Sequence, residues 1–253
     1  MIKKLAIVLL CTTLLSCAEL NKIASQLDGI NGLNTISNTE NAAGLKNSLD
    51  VGIENAVELL ATDNAFMNDA MIKILLPPEA QPIIDNLKLI PGGEALVQKT
   101  ITSLNRSAED AVKEAIPIFK TAIRSMTFDD VRNILFGDEN AATQFLRRTT
   151  YQQLEMAFAP KVKNSLEKPL VANVSTTETW NLLHNNYNKI AKTTVGRIAG
   201  LKEVNISIEN YVTQKTLDAL FMKVAQEEMN IRKNPAARVN DLLKRVFGQL
   251  DKK

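Results

Sequence analysis

The chain has 253 residues and carries 30 Lys and Arg against 28 Asp and Glu; Lys3 and Lys4 fall in an N-terminal leader, so the remainder is balanced at 28 against 28. That balance, with no long basic run, excludes a nucleic-acid partner held mainly by phosphate charge. The length suffices for one or two domains with a sizeable core, and few aromatics and glycines beside many Ala, Leu, Asn, Lys and Glu favour helices over a sandwich or barrel.

Met1-Ile2-Lys3-Lys4 forms a basic start, and Leu5 to Leu15 an apolar run too short to cross a hydrocarbon core of roughly 30 Å as a helix. This is the pattern of a signal peptide over residues 1–16. Leu14-Leu15-Ser16-Cys17 matches a lipobox, in which small or apolar residues admit the peptidase and the following thiol accepts diacylglycerol. Cys11 is the poorer acceptor because bulky Leu10 precedes it. With Cys11 removed and Cys17 acylated, no thiol is left for an internal disulfide. Two or three acyl chains, at about 0.8 kcal/mol per buried CH2, give stable anchoring. Ala18, where an enterobacterial inner-membrane protein would carry Asp, implies by resemblance to that sorting signal export to the outer membrane, and the expected place is its periplasmic face.

Residues 17–42, rich in Asn, Ser, Thr and Gly, have the composition of a flexible tether. Leu20, Ile23, Ala24 and Leu27 fit either a short helix at the membrane surface or chance spacing. From 43 to 250 the pattern is that of one all-α, multi-helix domain. Leu45, Leu49, Ile53, Ala56 and Leu60 recur at three and four, as do Leu96, Ile101, Leu104, Ala108, Ala111 and Ala115. Pro91-Gly92-Gly93 reads as a turn before a helix, and Pro77-Pro78, Pro82, Pro117 and Pro160 as punctuation between helices. Thr127 to Asp130 resembles a capping box opening a helix from Phe128 to Phe136, with Gly137 as its stop. Thr213 and Asn234-Pro235 are read as further helix starts. No sustained alternation of period two predicts a sheet.

Chemistry is sparse. His184 is the one histidine, no glutamate stands three residues before it, and no usable thiol remains, which argues against structural zinc and di-iron sites; no cofactor is expected. Asp129-Asp130 and Asp138-Glu139 lack calcium-loop spacing and read as helix N-terminal residues. There is no Gly-x-Ser-x-Gly elbow, and His184 reads as structural or exposed rather than catalytic.

The anomaly is polar residues on apolar stripes. Leu217, Phe221, Val224, Glu228 and Ile231 form one helical face, which puts a carboxylate among core positions. Arg232 lies one turn on, and Asn105 falls on the stripe of a helix that also carries Arg106. Glu228 is expected to bond to Arg106 or Arg232, since an unpaired buried charge costs several kcal/mol. The set Glu228, Arg232, Asn105 and Arg106 is either a network fixing helix register or the wall of a pocket.

Gly44-Leu45-Lys46, Val51 to Val57, Ser103 to Glu109, Met126 to Asp130, Tyr211-Val212-Thr213, Ile231 to Arg238 and Asp241 to Lys244 together resemble the bacterial family known as domain of unknown function 4197, from about Ala43 to Gly248. The resemblance implies an exported, mostly helical lipoprotein of Gram-negative bacteria and supplies no catalytic residue to carry over. Val131 stands where the family often has Ala, and 192–203 reads as a variable loop.

The expectation is a non-enzymatic, lipid-anchored periplasmic module that binds a protein, lipid or other envelope component. The alternatives are an envelope hydrolase or lipid-handling enzyme using the carboxylate and arginine set, and a structural or oligomeric assembly role. A solvent-open pocket joining the four residues would favour the enzyme.

Overall fold

A computed structural model describes residues 36–169 and 173–252. The leader, Cys17 and the tether up to residue 35 lie outside the described residues. Eleven α-helices are found among those residues: α1 (Asn38–Leu60), α2 (Ala65–Asn68), α3 (Gln81–Asp85), α4 (Gly93–Ala111), α5 (Ala115–Ser125), α6 (Phe128–Leu135), α7 (Ala141–Glu167), α8 (Thr176–Ala191), α9 (Thr194–Ile198), α10 (Ile208–Lys233) and α11 (Asp241–Gly248). No strand occurs among the described residues, and none of their helices is long and apolar enough to cross a membrane. The all-α, single-domain expectation holds.

The core forms around α10, which packs most extensively on α7 and α1. Leu217, Leu220, Phe221 and Val224 bury several sides of α10, as an interior helix requires. Phe119 of α5 meets Phe221 edge to face at 5.5 Å. The α1 stripe Leu45, Leu49, Ile53, Ala56 and Leu60 is buried throughout, and in α4 Leu104, Ala108 and Ala111 are buried while Leu96 and Ile101 are half-buried. Along α1, Gly44 allows close approach of α11: a Cβ there would lie 2.5 Å from Val246 Cγ2, so alanine would force the two helices apart.

Helix starts follow local chemistry where the cap is a side chain. Thr127 Oγ1 accepts from the Asp130 amide (3.2 Å) and Asp130 Oδ2 from the Thr127 amide (2.9 Å), the reciprocal box expected there. Gly137 follows α6, where a Cβ would stand 2.4 Å from the Asn133 carbonyl oxygen. A second box, Ser175 with Glu178, opens α8.

Five expectations need correction. Helix α1 opens at Asn38, inside the stretch read as tether, because Asn41 and Ala42 are buried and Gln249 of the C-terminal segment bonds to Asn41 (2.9 Å). Thr213 does not start a helix; Ser207 caps α10, and Thr213 is buried in its second turn, donating to the Glu209 carbonyl (2.8 Å) as an interior threonine can. Pro160 interrupts nothing: it lies within α7 on the exposed side, where water can satisfy the Met156 carbonyl that loses its helical donor. Asn234 opens a single 3-10 turn, Pro235–Ala237, and α11 is capped by Asn240 instead. The variable stretch 192–203 contains α9, capped by Thr193, rather than loop alone.

Candidate functional site

Glu228 stands where the α10 stripe puts it, 7% exposed, and is surrounded by donors. Its Oε1 accepts from the Ala142 amide (2.9 Å) and Arg232 Nε (3.0 Å), and its Oε2 from the Thr143 amide and hydroxyl (both 2.8 Å). The two amides belong to the first turn of α7, whose own N-cap residue, Asn140, gives the helix start no side-chain cap. A helix start leaves its first amides without partners, and a carboxylate there also meets the positive end of the helix dipole. Glu228 therefore caps α7 from another helix.

Arg232, also 7% exposed, does the complementary work. Its Nη1 donates to the Leu135 carbonyl (3.1 Å) and its Nη2 to the Ile134 carbonyl (2.7 Å), the last residues of α6. A cation meets the negative end of α6 while the anion beside it meets the positive end of α7, so one ion pair on α10 joins the ends of two successive helices. The adjoining void measures about 10 Å3 and is walled by Leu49, Val224, Ile231 and Phe247, room for about one water and no substrate.

The other two members lie elsewhere. Arg106 pairs with Asp63 (2.8 Å) and Glu109 (3.0 Å), so of the two partners expected for Glu228 only Arg232 is realised. Asn105 is fully buried and grips the backbone of Ile74: Oδ1 accepts from its amide (2.9 Å), and Nδ2 donates to its carbonyl (2.7 Å). The four residues line no common cavity, and Glu228 and Arg232 are closed off from solvent.

Sequence reasoning missed Arg238. At 2% exposure it donates to the Ile231 and Arg232 carbonyls (3.0 and 2.8 Å) and forks onto Asp251 (2.5 and 2.7 Å), closing the end of α10. No periodicity could flag it, because it lies between helices. His184 is half-buried: it stacks on Trp180 (centroids 5.6 Å apart) and its Nε2 meets the Val204 carbonyl. Asn188 pairs with both the amide and the carbonyl of Val204 (2.9 and 2.8 Å), the same device that Asn105 applies to Ile74. Among the described residues no three His, Cys, Asp or Glu side chains gather as a metal site.

What Asn105 holds is one wall of a groove. Residues 73–77 follow the turn at 70–72 with no regular secondary structure, and burial alternates along 71–76: Ile72, Ile74 and Leu76 are buried, and Met71, Lys73 and Leu75 are exposed. Lys223 anchors the start of the segment through Asp69 (2.7 Å), and Tyr211 Oη donates to the Leu75 carbonyl (3.1 Å). Burial, with the Glu79 carboxylate nearby, raises the Tyr211 phenol above its ordinary value and keeps it a neutral donor. Between this wall and helices α7 and α10 lies a groove of about 860 Å3.

Lys223 also sets a pH dependence. Its hydrogen bond, joined by the Met71 amide (2.9 Å to Oδ1), holds the Asp69 carboxyl below its ordinary value. A carboxyl depressed in the fold contributes stability above its unfolded pKa of about 3.9 and loses it as pH falls through the lower folded value. Exchange protection of the Met71 amide should be flat from pH 7 to about 5 and fall below about 4. Asp69→Asn should show the reduced protection already at pH 7; unchanged protection in that variant would remove Asp69 as the anchor.

The fold is an all-helical domain whose buried charges close helix ends. The family model for protein of unknown function DUF4197 matches residues 35–248, and the chain belongs to that family. No curated protein and no solved structure matches the chain.

Proposed function

We propose that this protein is a lipid-anchored envelope module that works by binding, with Cys17 acylated, the chain held at the periplasmic face of the outer membrane, and the helical domain presenting its groove to an envelope component. The lipobox ending at Cys17 carries the anchoring half of this reading. The binding half rests on one observation: the polar residues that looked chemically promising serve helix ends and backbone, whereas the groove beside the Asn105-held segment is open. A hydrolase built on Glu228 and Arg232 has no route for substrate to reach them.

Cys17→Ala tests the anchor. The variant should keep the helical circular-dichroism spectrum of the wild type, leave the membrane fraction and incorporate no labelled palmitate. Retention after a carbonate wash would mean that something other than acyl chains holds the protein. Turnover of any envelope substrate, abolished by one polar substitution in a stably folded protein, would overturn the non-enzymatic reading.

A further inference from the structure

We infer that the groove between residues 71–78 and helices α7 and α10 binds a single-chain anionic phospholipid, with the headgroup on its basic rim and the acyl chain along its apolar wall. The inference deepens the binding reading above and rests on it for location only.

The charge argument comes from the rim. Lys73, Arg147 and Lys215 stand around the groove with one lining carboxylate, Asp218. Arg147 pairs with Asp218 and lies over the Phe221 and Tyr151 rings, 5.1 and 5.5 Å from their centroids. Stacking on rings holds a guanidinium flat and leaves N–H edges to donate outward. Lys215 lies over the Tyr211 ring at 5.8 Å, and among the described residues neither it nor Lys73 has a carboxylate partner. With Asp218 on the lining and Glu79 near Tyr211 set against three cations, the groove keeps an excess of about one positive charge in a chain that is otherwise balanced, and an anion complements it. Asn140 and Gln144, bonded to each other (2.7 Å), add amides suited to glycerol hydroxyls on the same rim.

The apolar argument comes from the wall. Met71 is 69% exposed and Leu75 54%, both on the outward side of a segment pinned from behind by Asn105. With half-buried Met222 opposite, they give an unbranched chain flexible apolar partners. The volume falls within the roughly 300–1,000 Å3 of small-molecule sites, and the surface is concave, as suits one lipid molecule rather than a bilayer face.

The test uses full-length protein in membranes from producing cells and a palmitoyl lysophosphatidylglycerol carrying a photoreactive diazirine near the end of its chain, with adducts mapped by mass spectrometry. Adducts should fall on residues 71–78 or on α10 around Met222, and unlabelled lysophosphatidylglycerol should compete. Monopalmitoylglycerol, with the same chain and no charge, should compete about tenfold less well, and Lys73→Glu with Lys215→Glu should cut labelling about tenfold. Both lysines are exposed, so the variant should fold normally. Met71→Ser with Leu75→Ser, also at exposed positions, should weaken labelling without altering charge. Full labelling of the charge-reversed protein, or equal competition by monopalmitoylglycerol, overturns the proposal. Palmitate competing as well as the lysophospholipid would reassign the head to a carboxylate, and displacement by polyglutamate alone would make the groove an acidic-peptide site; either overturns it. Groove labelling should persist in Cys17→Ala labelled in the soluble fraction into which it is released, so failure of the anchor and failure of the groove read out separately.

Discussion

Replacing Arg232 with Met should remove about 3–5 kcal/mol of folding stability, because it takes the counter-ion from the buried Glu228 carboxylate and the donor from the Leu135 carbonyl. Against a total of about 5–15 kcal/mol for a domain, that is a large part of the whole. Urea denaturation should show a lower midpoint at an unchanged slope. Glu228→Gln should be destabilising too, since its one amide nitrogen would set donors against either the Ala142 amide and the Arg232 guanidinium or the Thr143 amide, and the negative charge is lost. The double substitution Glu228→Gln with Arg232→Met should cost less than the sum of the two, by about 0.5–3 kcal/mol of coupling. Strict additivity would mean that the two residues serve the ends of α6 and α7 independently.

Asn105→Ala should act at two scales. It leaves the Ile74 amide and carbonyl without partners in a fully buried position, each worth about 1–3 kcal/mol when stranded. It also frees the segment that forms the groove wall. Hydrogen exchange should therefore accelerate at Ile74 and its neighbours before the rest of the domain responds, a local opening below the global unfolding energy. Asn105→Asp keeps an acceptor for the Ile74 amide but turns a second oxygen toward the Ile74 carbonyl, so it should rescue little. Equal exchange at Ile74 in wild type and Asn105→Ala would show that Tyr211 and Asp69 hold the wall without Asn105.

The helical class was legible because apolar spacing of three and four is local: each stripe in α1 and on α10 names its own buried face. Glu228 was legible as an anomaly for the same reason, and Arg232 as its partner because residues four apart share a helix face. The ends of α6 and α7 were not. A first-turn amide capped by a residue 85 positions away along the chain leaves no local trace, and neither does the Asn105 grip on Ile74 across the core. Thr213, Pro160 and residues 38–42 were misread because each has a strong local tendency that packing overrode: a threonine that back-bonds inside a helix, a proline turned to solvent, and polar residues caught under the C-terminal segment.

The amino-acid sequence by itself determined the family, the helical class, the register of each buried stripe, and the lipobox on which the proposed anchoring rests, all carried by near neighbours along the chain. Only the tertiary structure decided what the polar residues do. Buried hydrogen-bonding groups must find partners wherever the fold brings them, so Glu228 and Arg232 were drawn to helix ends, Asn105 and Asn188 to backbone outside the helices and Arg238 to the end of α10. The basic groove, assembled from three segments far apart in the chain, exists only once they have packed.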